Sequence, residues 1–223
     1  MKAFILAAGR GERMRPLTDH TPKPLLSAGG KPLIVWHLER LAAAGFRDIV
    51  INHAHLGEQI VATLGDGAQW GLAIQYSAEP PGALETAGGI ATALPLLGEE
   101  AFLVVNGDVY CDWDFKRAHQ LTGKTAHLVM VANPAHHQSG DFSLDGERVI
   151  AACGAQTLTY AGIGVFSPSF FAEVPPHSIV KLRPLLDAAI AAGTLRGERF
   201  AGRWVDVGTP QRLAELDQEL RNA

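Results

Sequence analysis

A chain of 223 residues with 47% hydrophobic and 19% charged residues suits one sizeable globular unit with a full apolar core. Its formal net charge of −4 excludes the broad basic surface that sequence-independent nucleic-acid binding needs. Two cysteines, Cys111 and Cys153, lie far apart without metal-ligand spacing, which excludes a disulfide framework and points to a reducing compartment.

Residues 3–8 form a short apolar run ending at Gly9, as a buried parallel strand does, and a polar loop then reaches about His20. Pro32 opens a pattern in which Leu33, Trp36, Leu38 and Leu41 recur near helical spacing, closed by Gly45. Residues 48–52 read as a second strand, 56–64 as a second helix and 72–76 as a third strand. A Pro/Gly loop follows, then a helix over about 86–96 and a buried strand over 102–105 ending in Asn106-Gly107-Asp108. From about 126 the rhythm changes to strands at 127–132, 141–145, 147–152 and 159–166, with Asp145-Gly146 as a hairpin turn. A helix at about 179–192, a strand at 203–207 and a helix from about 210 complete the chain.

This alternation predicts an α/β fold: a Rossmann-like three-layer sandwich with a mainly parallel mixed sheet and ligands at the strand ends. One domain over 1–223 is expected, with a nucleotide half to about 125 and an acceptor half from about 126. The N-terminus lacks a signal-peptide layout, and no run approaches about eighteen apolar residues. A cytoplasmic protein with no membrane partner is the expectation.

The most informative segment runs Leu6-Ala7-Ala8-Gly9-Arg10-Gly11-Glu12-Arg13-Met14-Arg15-Pro16-Leu17-Thr18. Glycines directly after a buried strand let the backbone approach a ligand, and successive N–H groups there can form an anion nest. Arg13 and Arg15 add guanidinium groups suited to phosphate oxygens. The Walker pattern and the third glycine of a dinucleotide fingerprint are both missing. On this fragment alone, a tight strand-to-helix turn with no ligand is an equal alternative.

Thr21-Pro22-Lys23-Pro24-Leu25 then sets a lysine between two prolines, which restrict their own φ and push the preceding residue toward extended geometry. A stiffly aimed ammonium beside a glycine loop suits a phosphate whose charge grows during substitution; an exposed lysine in a Pro-rich turn is the alternative. Asp108 and Asp206 each follow apolar residues, so both are aimed from strand ends. Two such carboxylates suit Mg²⁺, which takes one or two carboxylates and completes its shell with phosphate oxygens and water; ordinary turn residues are the alternative.

The Leu-Ala-Ala-Gly-x-Gly-x-Arg-Met-x-Pro-Leu-Thr stretch, followed by Pro-Lys-Pro-Leu, resembles the sugar-1-phosphate nucleotidylyltransferases along nearly the whole chain. The resemblance implies an NTP, with UTP expected, and a sugar 1-phosphate as partners, and Mg²⁺ as cofactor. It assigns Ala8, Gly9, Gly11, Glu12 and Arg13 to the phosphate loop, Arg15 to the pyrophosphate and Lys23 to the α-phosphate. Asp108 and Asp206 match the family's metal aspartates. Glu79 and Gly82 fall in the loop that reads the base, and Asn106, Gly140, Asp141 and Gly162 fall on the sugar-phosphate side. Many members carry Leu-Gly-Thr-Ala-Gly where this chain has Leu84-Glu85-Thr86-Ala87-Gly88, so Glu85 stands in place of a glycine. A Glu-Lys-Pro element common in hexose-transferring members is missing, and 140–160 is short, which suggests room for a bulky acceptor such as a muramic acid.

A guanylyltransferase acting on mannose 1-phosphate and a non-catalytic nucleotide-sugar binder are the competing readings. His53, His55, His136 and His137 lack partners at zinc-ligand spacing and read as loop residues, and the four tryptophans read as packing residues. No hexapeptide repeats follow the Gly-Thr-Pro element, so a monomer or weak dimer is expected.

Overall fold

The computed structural model describes residues 1–121, 125–154 and 156–222. Its first strand, β1 (Ala3–Leu6), is a short apolar run whose Ala3, Phe4 and Ile5 are fully buried. The loop that follows is folded into 3-10 turns at Glu12–Met14 and Leu17–Asp19, with a third at Lys23–Leu25. A small hairpin, β2 (Ser27–Ala28) and β3 (Lys31–Pro32), leads into α1 (Leu33–Ala43). Then come β4 (Asp48–His53), α2 (Gly57–Leu64), β5 (Ala73–Ala78), α3 (Glu85–Leu97) and β6 (Phe102–Asn106). The second half contains β7 (Val109–Cys111), β8 (Ala126–Val131), β9 (Phe142–Asp145), β10 (Arg148–Ala151) and β11 (Thr159–Phe166). It ends with α4 (Leu182–Ala191), β12 (Leu195–Arg199), β13 (Trp204–Asp206) and α5 (Pro210–Asn222).

Nine strands form one mixed sheet in the order β5-β4-β1-β6-β11-β8-β12-β10-β9. The pairings among β5, β4, β1 and β6 are all parallel; β10 and β11 alone run against the other members of this sheet. Alternation along β1 divides the core: Ala3 and Ile5 pack with Ile34, Leu38 and Leu41 of α1 and Ile60 of α2. Phe4 faces the other way, with Ile90 of α3 and Leu186 of α4. These are the three layers. A third, smaller core joins Met14, Leu26 and Leu33 to Val207, Leu213 and Leu216, fastening α5 beneath the first loop.

From β1 the chain runs to β4 on one side, and β6 is laid on the other side after β5. Such a reversal opens a crevice at the carboxyl ends of the strands. Register makes it sharp, because Leu6 of β1 stands level with both Asn52 of β4 and Asn106 of β6.

Several elements depart from the sequence reading, the small β2–β3 hairpin among them. β12 was not expected, because in Leu195-Arg196-Gly197-Glu198-Arg199 one inward position is a glycine and the apolar alternation vanishes. Gly197 is needed there, since a β-carbon would crowd Val149 Cγ2 at 2.8 Å and the Leu128 carbonyl oxygen at 3.0 Å. The helix expected from 179 begins at Leu182. The residues before it are held by α3, for the Val180 carbonyl accepts the N–H groups of Ala87 and Gly88 at 3.0 and 3.1 Å. β7 was also missed, being only three residues long and paired solely with β13.

His37 of α1 is buried against Phe115, with ring centroids 6.3 Å apart. Burial pushes its imidazole from the ordinary 6.5 down to about 4, partly opposed by a hydrogen bond to the Val109 backbone. The unfolded chain therefore takes up a proton on His37 between these values while the folded chain does not. The resulting stability is present above about pH 6.5 and is lost as pH falls toward 4, an effect of about 3 kcal/mol. Urea unfolding across this range should show a shallower pH dependence for His37→Leu than for the parent chain; parallel curves would mean the ring is protonated in place.

Candidate functional site

Two cavities open at the crevice. The larger, about 440 Å³, is lined by Ala8, Gly9, Gly11, Glu12, Arg13 and Lys23 on one wall. Asn52, Glu79, Gly82, Ala83, Glu85 and Thr86 line its far end. The second, about 420 Å³, is lined by His136, His137, Asp141, Tyr160, Gly162, Trp204 and Asp206. Arg13, Asn106 and Asp108 belong to both. Two ligands seated side by side would thus share one wall.

The first loop is shaped by Gly11, whose φ of 68° is left-handed and suits glycine. Thr18 clips the loop shut, its hydroxyl donating to the Gly11 carbonyl at 2.9 Å. The N–H groups of Gly9, Gly11, Glu12 and Arg13 make no hydrogen bond among the described residues. They remain available as donors to an anion. Arg15 stands apart: it is exposed, outside the lining of both cavities, and its Nε donates to Asp19 Oδ1 at 2.6 Å.

Lys23 opens a 3-10 turn instead of following an extended path, with Leu26 N–H bonded to its carbonyl at 3.1 Å. The turn buries the stem, leaving the side chain 9% exposed, and Nζ meets Asp108 Oδ2 at 2.5 Å. Asp108 follows Gly107, which must be small: its N–H bonds to the Leu6 carbonyl at 2.9 Å, and a β-carbon would lie 2.8 Å from that oxygen.

Asp206 is brought alongside by backbone pairing. β13 runs antiparallel to β7 with Asp206 opposite Val109, and Val207 N–H donates to the Asp108 carbonyl at 3.0 Å. The Asp206 Oδ2 atom accepts from Arg212 Nη1 at 2.8 Å, and His136 Nε2 lies 3.2 Å away. Among the described residues no group of three or more His, Cys, Asp or Glu is arranged to hold a metal. Neighbouring oxygen ligands from two strand ends, with an anion nest opposite, nevertheless fit Mg²⁺ held jointly with phosphate.

In the second cavity, Asp141 is fixed by Tyr160 N–H at 2.8 Å and by His137 Nε2 at 3.1 Å. Gly162 sits in a register shift of β11 with φ 71°, where a β-carbon would lie 2.5 Å from Asn106 Nδ2. The bulge therefore makes room for the Asn106 side chain. Gly140 lies outside the lining of both cavities, backed by Asn133 and Thr157. His136, His137 and Trp204, read from sequence as loop and packing residues, all line this cavity. Arg212, two residues into the last helix, gave no sequence signal at all.

At the opposite end, a hydrogen-bond chain ties the cleft together. Ala7 N–H donates to Asn52 Oδ1 at 2.7 Å, and Asn52 Nδ2 donates to Glu79 Oε1 at 2.6 Å. Glu79 Oε2 in turn accepts Leu84 N–H at 2.8 Å. The buried Glu79 carboxylate is thus committed to the protein, though it lines the cavity. At Gly88 and Gly89 of α3 the space beside the backbone is filled by the Ser178 carbonyl and by Glu79. No thiol is poised for attack here: Cys111 is buried, and burial pushes its thiol up to about 11.

Comparison with known proteins agrees with this geometry. Residues 2–143 match the nucleotidyl transferase family. The chain is 54% identical to the N-acetylmuramate α-1-phosphate uridylyltransferase of Neisseria meningitidis serogroup B, covering 96% of each chain. It is 33% identical to a mannose-1-phosphate guanyltransferase of Aspergillus fumigatus, over 95% of this chain and 62% of that one. The fold is also that of a candidate glucose-1-phosphate thymidylyltransferase from Bacillus anthracis crystallised with sucrose, with a TM-score of 0.88 at 23% identity. That alignment covers 100% of this chain and 96% of the other.

Gly88→Ala should destabilise the chain. The added methyl would strike the Ser178 backbone oxygen, an overpacking cost of ~1–3 kcal/mol that exceeds the helix-propensity gain of ~1 kcal/mol. Urea denaturation checks this, and a raised midpoint would show that the 176–180 segment yields freely.

Proposed function

The chain belongs to the nucleotidyl transferase family, and from that membership we propose that it transfers the uridylyl group of UTP to N-acetylmuramic acid α-1-phosphate. The products are the UDP-sugar and pyrophosphate, in a cytoplasmic step of cell-wall (peptidoglycan) recycling. The observation that carries this reading is the buried Lys23 ammonium against Asp108, at the wall common to both cavities. The 54% identity to the meningococcal uridylyltransferase supports the choice of substrates over the guanylyl alternative at 33%.

An oxygen of the sugar 1-phosphate attacks the α-phosphorus of UTP in line, and the bond to the β-phosphate breaks as pyrophosphate leaves. The attacking phosphate is already anionic near neutral pH, so no side chain need remove a proton. The free amides of Gly9, Gly11, Glu12 and Arg13 hold the triphosphate. Lys23 is aimed where charge accumulates on the α-phosphate, and the surrounding wall keeps it there without reorganisation. Asp108 and Asp206 would hold Mg²⁺, which when bound neutralises phosphate charge. Asn106, Asp141 and Gly162 position the acceptor.

Pyrophosphate release from each of the four NTPs with a panel of sugar 1-phosphates tests the reading. UTP with N-acetylmuramic acid 1-phosphate should give the highest kcat/KM, and EDTA should abolish turnover; preference for GTP with mannose 1-phosphate would overturn it. Lys23→Ala should lower kcat by about 100-fold or more while acceptor KM changes little. An unchanged kcat would remove Lys23 from the chemistry.

A further inference from the structure

The acceptor cavity presents three carboxylates, Asp108, Asp141 and Asp206, against a single guanidinium, Arg13. A sugar 1-phosphate dianion entering such a wall meets repulsion unless more positive charge is at hand. The nearest reserve lies directly behind Asp206. Arg212 Nη1 donates to Asp206 Oδ2 at 2.8 Å and lies 2.7 Å from His136 Nε2, and its side chain is 18% exposed.

The glycine between them records how close these charges come. At Gly208, a β-carbon would collide with Arg212 Nη2 and lie 3.1 Å from both Arg13 Nη2 and Asp206 Oδ1. Of the two guanidinium groups that converge on this point, Arg212 is the one the Asp206 carboxylate holds, while Arg13 makes no ion pair among the described residues. If that carboxylate is committed to a cation, Arg212 is left without its counter-charge, beside the Arg13 guanidinium.

We propose that Arg212 is a phosphate-binding residue for the acceptor, held by Asp206 and His136 as the structure shows it and freed when a divalent cation takes the Asp206 carboxylate. This rests on the reading of the cleft as a sugar-1-phosphate nucleotidyltransferase site. It supplies, from the last helix, a cation for the acceptor phosphate where the Glu-Lys-Pro element is missing. It also makes two properties move in opposite directions when Arg212 is lost, which a merely structural arginine would not do.

The test compares the parent chain with Arg212→Met and Arg212→Lys. Mn²⁺ binding is titrated by calorimetry without nucleotide. N-acetylmuramic acid 1-phosphate binding is then titrated onto protein loaded with Mg²⁺ and a non-hydrolysable UTP analogue. Arg212→Met should bind Mn²⁺ several-fold more tightly, because the competing guanidinium is gone. It should bind the acceptor about tenfold or more weakly, the loss of one charge-assisted hydrogen bond. Affinity for the UTP analogue should stay within about twofold on the same scale. Arg212→Lys should recover part of the acceptor affinity, and thermal melting confirms that each variant is folded. Weaker Mn²⁺ binding in Arg212→Met, or unchanged acceptor binding, overturns the proposal. If the parent chain itself fails to bind the acceptor, the substrate reading falls, and the role given to Arg212 falls with it. A parent chain that binds the acceptor while Arg212→Met binds it equally well defeats only the role of Arg212.

Discussion

The antiparallel pairing of β13 with β7 is the constraint on which the site depends. It lays Asp206 opposite Val109 and bonds Val207 N–H to the Asp108 carbonyl, so carboxylates from distant parts of the chain stand side by side. Neither strand could hold this position alone, being three residues long. β13 is anchored to β11 by Trp204 Nε1, which donates to the Ala161 carbonyl at 2.9 Å. From the other side, α5 packs Leu213 and Leu216 against Met14, Leu26 and Leu33. The same small core therefore supports the first loop, the Lys23 turn and Asp206, and a displacement of one is felt by all three.

The three aspartates of the cleft are matched within the protein. Asp108 faces Lys23, Asp206 faces Arg212, and Asp141 is held by His137 and the Tyr160 amide. Partly buried charges cannot be left unpaired cheaply, so each has a partner before any ligand arrives. An anionic ligand entering such a cleft would exchange one set of partners for another, instead of stripping water from bare ions. The pairing meanwhile holds the Lys23 and Arg212 cations in defined positions beside the cleft.

The sequence made some of this legible because local chemistry enforces it. Gly11 must be glycine at its left-handed φ, and Lys23 lies between prolines, so one wall of the larger cavity could be read from one short segment. The end of β6 at Asn106 was equally plain from its apolar run. What stayed hidden depended on neighbours far along the chain. Asn52 looks like any polar residue closing a strand, and only its bonds to Ala7 and Glu79 reveal a tie across the cleft. Arg212 looks like a solvated helix residue until β13 folds Asp206 against it. Gly88 and Gly89 are small because the protein's own Ser178 and Glu79 approach them, which the sequence alone does not reveal. β12 hid because Gly197 occupies an inward position where a larger residue would have announced a strand.

The loop before α3 breaks local rules most openly, and the reason is tertiary. Ala83 and Glu85 hold left-handed φ values of 58° and 59°, each costing about 1–2 kcal/mol for a residue with a β-carbon. Glu85 stands where many of the resembling enzymes carry glycine, the residue that takes such a φ most easily. The shape persists because it is fixed from both sides. Glu79 Oε2 accepts Leu84 N–H, the Leu84 carbonyl accepts Val180 N–H, and the Val180 carbonyl receives the first free amides of α3. Strain survives only where the surroundings over-determine it. The far end of the larger cavity is accordingly a wall tied from both sides that carries a carboxylate, its shape set by α3 and the 178–180 segment and not by the intrinsic preference of its own residues.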